Sequence, residues 1–278
     1  MDALRIITLN TGKCDGAYAD RLRWLAEEAF DLGPDIFVCQ EVFREDNGQL
    51  DTFATLQRHL QMGGAWAQAR YKARESEGRE VVGWSGMALF STRPWTYVDV
   101  LDLPSDPLDG DRVAQVGLLE LERFSVVVAN VHLTHLRDSE QLRRRQIECV
   151  LQHPLMQMKQ ALRVVCGDFN TLPDGRLMQE LLDGSEHGNL RDAYVIGGGA
   201  ADRATLPTRD VATAGRCVDY ILSVAATADT HPLFTSSVVT FKRHHPSSGI
   251  LPSDHYGVAS TLVPARIHGW LRQEQMVG

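Results

Sequence analysis

The chain has 278 residues, 44% of them hydrophobic and 23% charged, which is the balance of a globular protein long enough to bury a sizeable core. Its formal charge of −8 argues against a protein that coats nucleic acid by bulk electrostatics, though not against a local basic patch. The longest apolar runs fall short of a bilayer span, and the five cysteines include no C-x-x-C pair.

A first strand is predicted over 4–10, where apolar and β-branched residues recur. Residues 18–30 place Leu22, Leu25, Ala26 and Ala29 on one helical face, and Gly33-Pro34 then breaks the chain. A short buried strand follows at 35–39, and a second amphipathic helix at 50–60 carries Phe53, Leu56 and Leu60 on one side. Residues 71–80 are charged and read as an exposed loop. Strands are predicted at 86–91 and 97–103, a turn-rich loop at 103–111, and an antiparallel pair at 112–122 and 124–131. Ser139 reads as the cap of a helix running to about 151, with Pro154 beyond it. The chain continues as a strand at 162–166, a helix at 174–182, a loop from Gly197 to about 214, and strands at 217–224, 237–241 and 256–262. A Pro/Ser/Gly segment at 244–253 precedes the last of these.

No fixed-period repeat or linker divides the chain, so 1–278 is expected to form one α/β domain of two packed sheets flanked by helices. Cys39 and Cys166 lie inside apolar runs and read as small buried hydrophobes, which favours a reducing compartment. The N-terminus lacks a basic segment followed by an apolar one, so the expected location is cytoplasmic.

Four short segments concentrate the chemistry: Gln40-Glu41, His132, Gly167-Asp168-Phe169-Asn170 and Ser253-Asp254-His255. Each follows or adjoins a strand-like run, where α/β scaffolds build their sites. Carboxylates, amides and imidazoles offered together suit a hard cation and a phosphate ester. Phosphoester hydrolysis needs charge neutralised on non-bridging oxygens, an activated water, and a proton source for the leaving oxygen. Glu41 can hold Mg²⁺ or Mn²⁺, with Asn10 and Asp254 adding oxygen ligands. Asp168 can orient and deprotonate the water, and the Asn170 amide can donate to a phosphate oxygen or steady that water. His255 can serve as acid or electrostatic partner if Asp219 fixes its tautomer, and His132 is a second phosphate donor.

Taken singly, each residue has an ordinary alternative. Asn10 could cap a turn, Glu41 could pair with Arg44, His132 could be a core histidine, and Asp219 could pair with Arg216. Several such coincidences at strand ends compose poorly. Zinc is disfavoured, because neither His132-x-x-His135 nor His244-His245 has helical spacing with a base or a supporting cysteine cluster.

The Gln-Glu after a strand, Gly-Asp-Phe-Asn at 167–170, Asp-Tyr-Ile-Leu-Ser at 219–223 and Ser-Asp-His at 253–255 resemble the endonuclease/exonuclease/phosphatase superfamily. That group includes DNase I-like nucleases, abasic-site endonucleases, neutral sphingomyelinases and inositol polyphosphate 5-phosphatases. The resemblance spans Leu9-Asn10 to His255 and includes the run Met87 to Pro94. It implies a four-layer α/β sandwich of two mixed β-sheets and divalent-metal-dependent phosphoester cleavage. It also implies Asn10, Glu41 and Asp254 near the metal, Asp168 and Asn170 around the nucleophile, and Asp219 paired with His255. Arg112 is implied as a phosphate contact, with a salt bridge to Asp109 or Asp111 as the alternative. Thr208 resembles a threonine that supports the site.

Departures bear on substrate. Met87 stands where many relatives carry Asn, and Val42-Phe43-Arg44 stands where abasic-site enzymes follow Gln-Glu with Thr and Lys. Gln-Glu-Val-Phe looks more like the sphingomyelinase branch. The expected function is therefore a phosphodiesterase or phosphatase acting on a small or lipid-linked phosphoester, with no obligate protein partner. The alternatives are a Mg²⁺-dependent nuclease on DNA or RNA, and a catalytically silent binding module. An open basic groove at Arg112 and Arg143-Arg144-Arg145 would favour nucleic acid. A pocket closed by loops at 71–83 and 197–214 would favour a small headgroup.

Overall fold

A computed structural model describes residues 3–183, 190–208, 215–224 and 233–263. The expected strand at 4–10 is β1 (Leu4–Asn10), and helix α1 (Tyr18–Leu32) crosses over to β2 (Ile36–Glu45). Gly33 ends α1 in the left-handed region, φ +57°, where its N–H reaches Ala29 O and Phe30 O. The short helix α2 (Thr52–Leu60) is capped by the Asp51 carboxylate, which accepts from Ala54 N at 2.8 Å.

The charged stretch at 71–80 is a hairpin rather than a loop. Strands β3 (Gly63–Ser76) and β4 (Arg79–Ser91) pair along its length. Glu77 and Gly78, at φ +50° and +78°, make the two-residue turn whose twist matches flanking strands. Its charges face solvent on an outer strand, so they mimic a loop in composition alone.

The second half begins with β5 (Tyr97–Leu103), β6 (Arg112–Glu120) and β7 (Ser125–His132), and α3 (Glu140–Leu151) then crosses over to β8 (Ala161–Asp168). Ser139 precedes α3 without capping it; its hydroxyl donates to Arg137 O. The chain continues through α4 (Arg176–Leu182), β9 (Leu190–Asp192), α5 (Ala193–Ile196), β10 (Asp219–Val224), β11 (Leu233–Thr240) and β12 (Gly257–Val263).

Two mixed six-stranded sheets result, ordered β11-β12-β1-β2-β4-β3 and β5-β6-β7-β8-β10-β9. The parallel pairs β1·β2 and β7·β8 each have a crossover helix between their strands, α1 and α3. Ile6, Val38 and Leu89 of one sheet meet Val128, Val164 and Ile221 of the other in an apolar cluster. On the outer faces Leu25 of α1 joins the cluster of Phe37 and Phe43 of β2, and Ile147 of α3 and Leu181 of α4 join that of Val165 of β8. Helix, sheet, sheet and helix thus stack as a four-layer α/β sandwich.

Close approach of β7 and β8 requires one glycine beside the future site. Gly167 adopts φ +138°, and a Cβ there would lie 1.9 Å from Val131 O. Gly167→Ala is expected to destabilise the fold by about 3 kcal/mol or more, through strain at a special φ and a backbone clash. A urea midpoint equal to that of the parent chain would contradict this.

Candidate active site

Strand register brings the predicted groups into one row. Asp168, at the end of β8, lies opposite His132 of β7 on one side and opposite Asp219 of β10 on the other. His132 Nε2 is 3.6 Å from Asp168 Oδ2. The loop before β12 brings His255 over the row, with Nδ1 2.9 Å from Asp219 Oδ2 and Nε2 3.9 Å from Asp168 Oδ2. Asp219 therefore pairs with His255, and the alternative partner Arg216 is not used.

A bulge aims Glu41. The β2·β4 register slips between Cys39 and Val42, and Glu41 takes φ +56°. Such a defect turns a side chain out of its strand's alternation and is common beside functional sites. The broken ladder is repaired by Asn130, whose Nδ2 donates to Cys39 O and Ala88 O. Asn130 Oδ1 accepts from Gln40 Nε2, and its amide also contacts Gln115 Oε1 at 3.4 Å, so three amides cross the space between the sheets. Glu41 Oε2 meets Lys13 Nζ at 2.8 Å, whereas Arg44 goes to Asp51.

Asn10 engages both ends of its amide: Oδ1 accepts from Gly12 N and Nδ2 donates to Asp168 Oδ2 at 3.2 Å. Asn170, at φ +49°, donates its backbone N–H to Asp168 Oδ1 and its Nδ2 to Leu133 O. One side-chain N–H and the carbonyl oxygen of Asn170 remain to face a ligand. Asp254 is exposed, with Oδ1 accepting from Ser253 Oγ. Arg112 follows its alternative: Nε and Nη2 grip both oxygens of Asp109 at 2.8 and 2.7 Å, and Nη1 reaches His132 O.

The electrostatics divide the histidines. Burial opposes charge on His255, but the bonded Asp219 carboxylate, with Asp168 and Asp254 behind it, wins and raises its pKa to about 10. Burial holds His132 well below the ordinary imidazole value, and Arg112, Lys13 and His255 push the same way. Burial, reinforced by Asp219, raises Asp168 to about 6. Burial likewise raises Glu41, against the pull of Lys13.

Two donor groups suit a hard cation. Asp168, Asp219 and, once its proton is displaced, His255 each offer a buried ligand atom, all within 4.8 Å of one another. Asp219 Oδ1 is buried without a hydrogen-bond partner. Beside them, Glu41 lies within the fields of Asp254 and His255. The cluster is capable of coordinating a divalent metal.

Several contributing residues gave no motif. Arg21, on α1, donates to the carbonyls of Thr11, Gly12, Lys13, Asp15 and Pro252, tying the Asn10 loop to the Asp254 loop. Thr205 Oγ1 accepts from Val218 N and Asp219 N, while Thr208 is exposed. Gln115 and Asn130, amides inside apolar strands, carry the one sequence signal by which such a residue could be found. The run at 143–145 is largely structural: Arg143 donates to Thr134 O and Leu136 O, Arg144 pairs with Glu180, and Arg145 is exposed. Residues 209–214 of the expected loop lie outside the described residues.

The sequence matches the family model described as the Endonuclease/Exonuclease/phosphatase family over residues 7–255. No curated protein matches the chain significantly. A functionally unknown conserved protein from Enterococcus faecalis V583 superposes with a TM-score of 0.71 at 19% identity, covering 94% of this chain and 100% of that one. An endonuclease/exonuclease/phosphatase family protein from Leptotrichia buccalis C-1013-b gives 0.71 at 18% identity, covering 94% and 99%. D. rerio TDP2 complexed with a single-strand DNA product gives 0.69 at 17% identity, covering 95% and 100%. At these identities the likeness extends to the fold.

Proposed function

The chain belongs to the endonuclease/exonuclease/phosphatase family, and from that premise we propose that it is a Mg²⁺- or Mn²⁺-dependent nuclease acting on single-stranded nucleic acid. The observation that carries phosphodiester hydrolysis is the row His132–Asp168–Asp219 beneath His255, with Glu41 turned toward the same place. Glu41 and Asp254, with Asp168 alongside, would hold the cation, which supplies charge neutralisation on the phosphate and acidifies a water. Asp168, oriented through one oxygen by Asn170 N and the other by Asn10 Nδ2, takes the proton of the attacking water. His255, kept cationic by Asp219, stabilises charge on the phosphate. Neutral His132 and the free N–H of Asn170 donate to its non-bridging oxygens.

Nucleic acid is preferred over a lipid or small headgroup for two reasons. Val42 and Phe43 are fully buried, so the Gln-Glu-Val-Phe likeness reports packing beneath α1 and α2 rather than a headgroup contact. The stretch at 71–83 is an outer hairpin, which removes one proposed wall of a closed pocket. A chain of this fold has been solved with a single-strand DNA product, which supports the same preference. No helix of the described residues is long and apolar enough to cross a membrane.

A substrate panel with Mg²⁺ and Mn²⁺, and EDTA as control, tests this. Single-stranded oligonucleotides are expected to be cleaved faster than plasmid duplex, sphingomyelin or inositol phosphates. Faster turnover of sphingomyelin or an inositol phosphate would overturn the nuclease assignment in favour of the headgroup one.

A further inference from the structure

Beside Glu41 lies a narrow cleft whose polar lining includes Lys13, Arg70, Asp111, Arg112 and His132. Its floor is apolar, since Met87 is buried with Ala67 and Val113. Two guanidinium groups share one buried anchor there. Arg112 holds Asp109 through two short bonds, as described. Arg70 reaches the same carboxylate only at 3.6 Å, and its Nε is buried without a hydrogen-bond partner.

Arg70 is placed by two local features. The β3·β4 register slips between Gln68 and Arg70, so Arg70 leaves the strand's alternation next to Ser85. Gly110, at φ +78°, leaves space where a Cβ would come within 3.3 Å of Arg70 Nε. The guanidinium thus rests on bare backbone, inside the field of Glu41, with donors in excess of acceptors. The lining carries two acidic groups, Glu41 and Asp111, against three cations, Lys13, Arg70 and Arg112.

A partly buried guanidinium whose Nε lacks a partner, beside a phosphoryl-transfer centre, is suited to a second anionic group. Resting on the nuclease assignment above, we infer that Arg70 forms a subsite for the phosphate adjacent to the scissile one in a single-stranded chain. Met87 supplies no polar contact to that phosphate, and the Arg112 guanidinium is already held by Asp109, so Arg70 is the principal donor. The subsite favours chains with at least two phosphates over isolated diesters.

The test separates binding from cleavage. A fluorescent thymidine octanucleotide is titrated by anisotropy across a KCl series, with Asp168→Asn present throughout to prevent turnover. Adding Arg70→Gln is expected to weaken binding several-fold and to flatten the plot of log K against log salt by about 0.7, the increment for one single-strand phosphate. Arg70→Lys is expected to restore the slope, since a point charge suffices for counterion release, but only part of the affinity. An oligonucleotide with neutral methylphosphonate linkages is expected to bind both chains equally. Unchanged slope and affinity in Arg70→Gln, or no binding of the octanucleotide to the parent chain, would overturn the subsite. Binding as expected with no cleavage by the wild-type chain in Mg²⁺ or Mn²⁺ would instead reject the nuclease assignment and leave the subsite standing.

Discussion

Asp168→Asn is expected to reduce metal-dependent phosphodiester hydrolysis by about 10³-fold, within the range for removing a positioned general base. The substitution is nearly isosteric. Its amide oxygen can keep the bond from Asn170 N that now goes to Asp168 Oδ1, so circular dichroism and thermal midpoint should stay close to the parent. What is lost is the capacity to take a proton from water. That capacity also fixes the acid side of the pH profile. Asp168 works only when ionised, and burial reinforced by Asp219 places its pKa at about 6. The rate of the parent chain should therefore climb as pH rises through about 6, and a bound cation, by favouring the carboxylate, moves that limb lower. The variant's residual rate should lack the limb. A limb above neutrality in the parent, or near-parent turnover in the variant, would remove Asp168 from this role.

His255→Ala is expected to cost on the order of 10²–10⁴-fold in rate, and Asp219→Asn a loss in the same range. The two side chains act as a unit through the 2.9 Å bond between Nδ1 and Oδ2. Without the carboxylate, burial would discharge the imidazole; without the imidazole, Asp219 and Asp168 are two buried carboxylates with no cation between them. The double variant should thus be little worse than either single one, a non-additivity typical of residues acting together. The sign of the pH effect is opposite to that of Asp168. His255 is active when protonated and its pKa is raised to about 10, so the rate should fall as pH passes through about 10. Asp219→Asn should bring that limb down toward neutrality. Multiplying effects in the double variant, or an alkaline limb that Asp219→Asn leaves in place, would separate the pair.

Much of the catalytic row was legible because its members end β-branched runs. A run such as Val126 to Val131 forms a strand wherever it is buried, and the polar residue that ends it emerges at the end of that strand. The hairpin of β3 and β4 was not legible, because an outer strand needs no apolar face to pair and its charges look like those of a loop. Lys13, Arg21, Arg70 and Thr205 were not legible either. Each acts on groups far away in the chain or on backbone carbonyls, and neither leaves a local pattern. Arg112 shows the limit most directly: its position in the site was readable, but its commitment to Asp109 was not, because two readings of one arginine differ only by where its partners fold.

The order of amino acids by itself determined the α/β sandwich, the strand ends that carry carboxylates and imidazoles, and the hydrolase class. Periodicity and local chain breaks, which are short-range, set the strands, helices and strand ends; the four layers and the hydrolase class came from the motifs at those ends and the family they resemble. Tertiary structure alone decided that Asp168 stands between His132 and Asp219, that a bulge turns Glu41 toward them, and that Arg70 rests under-bonded beside Glu41. Strand register, bulge position and burial are set by contacts between segments distant in the chain. Those contacts also set the charge of each group, raising His255 and depressing His132 although the two share one side-chain chemistry.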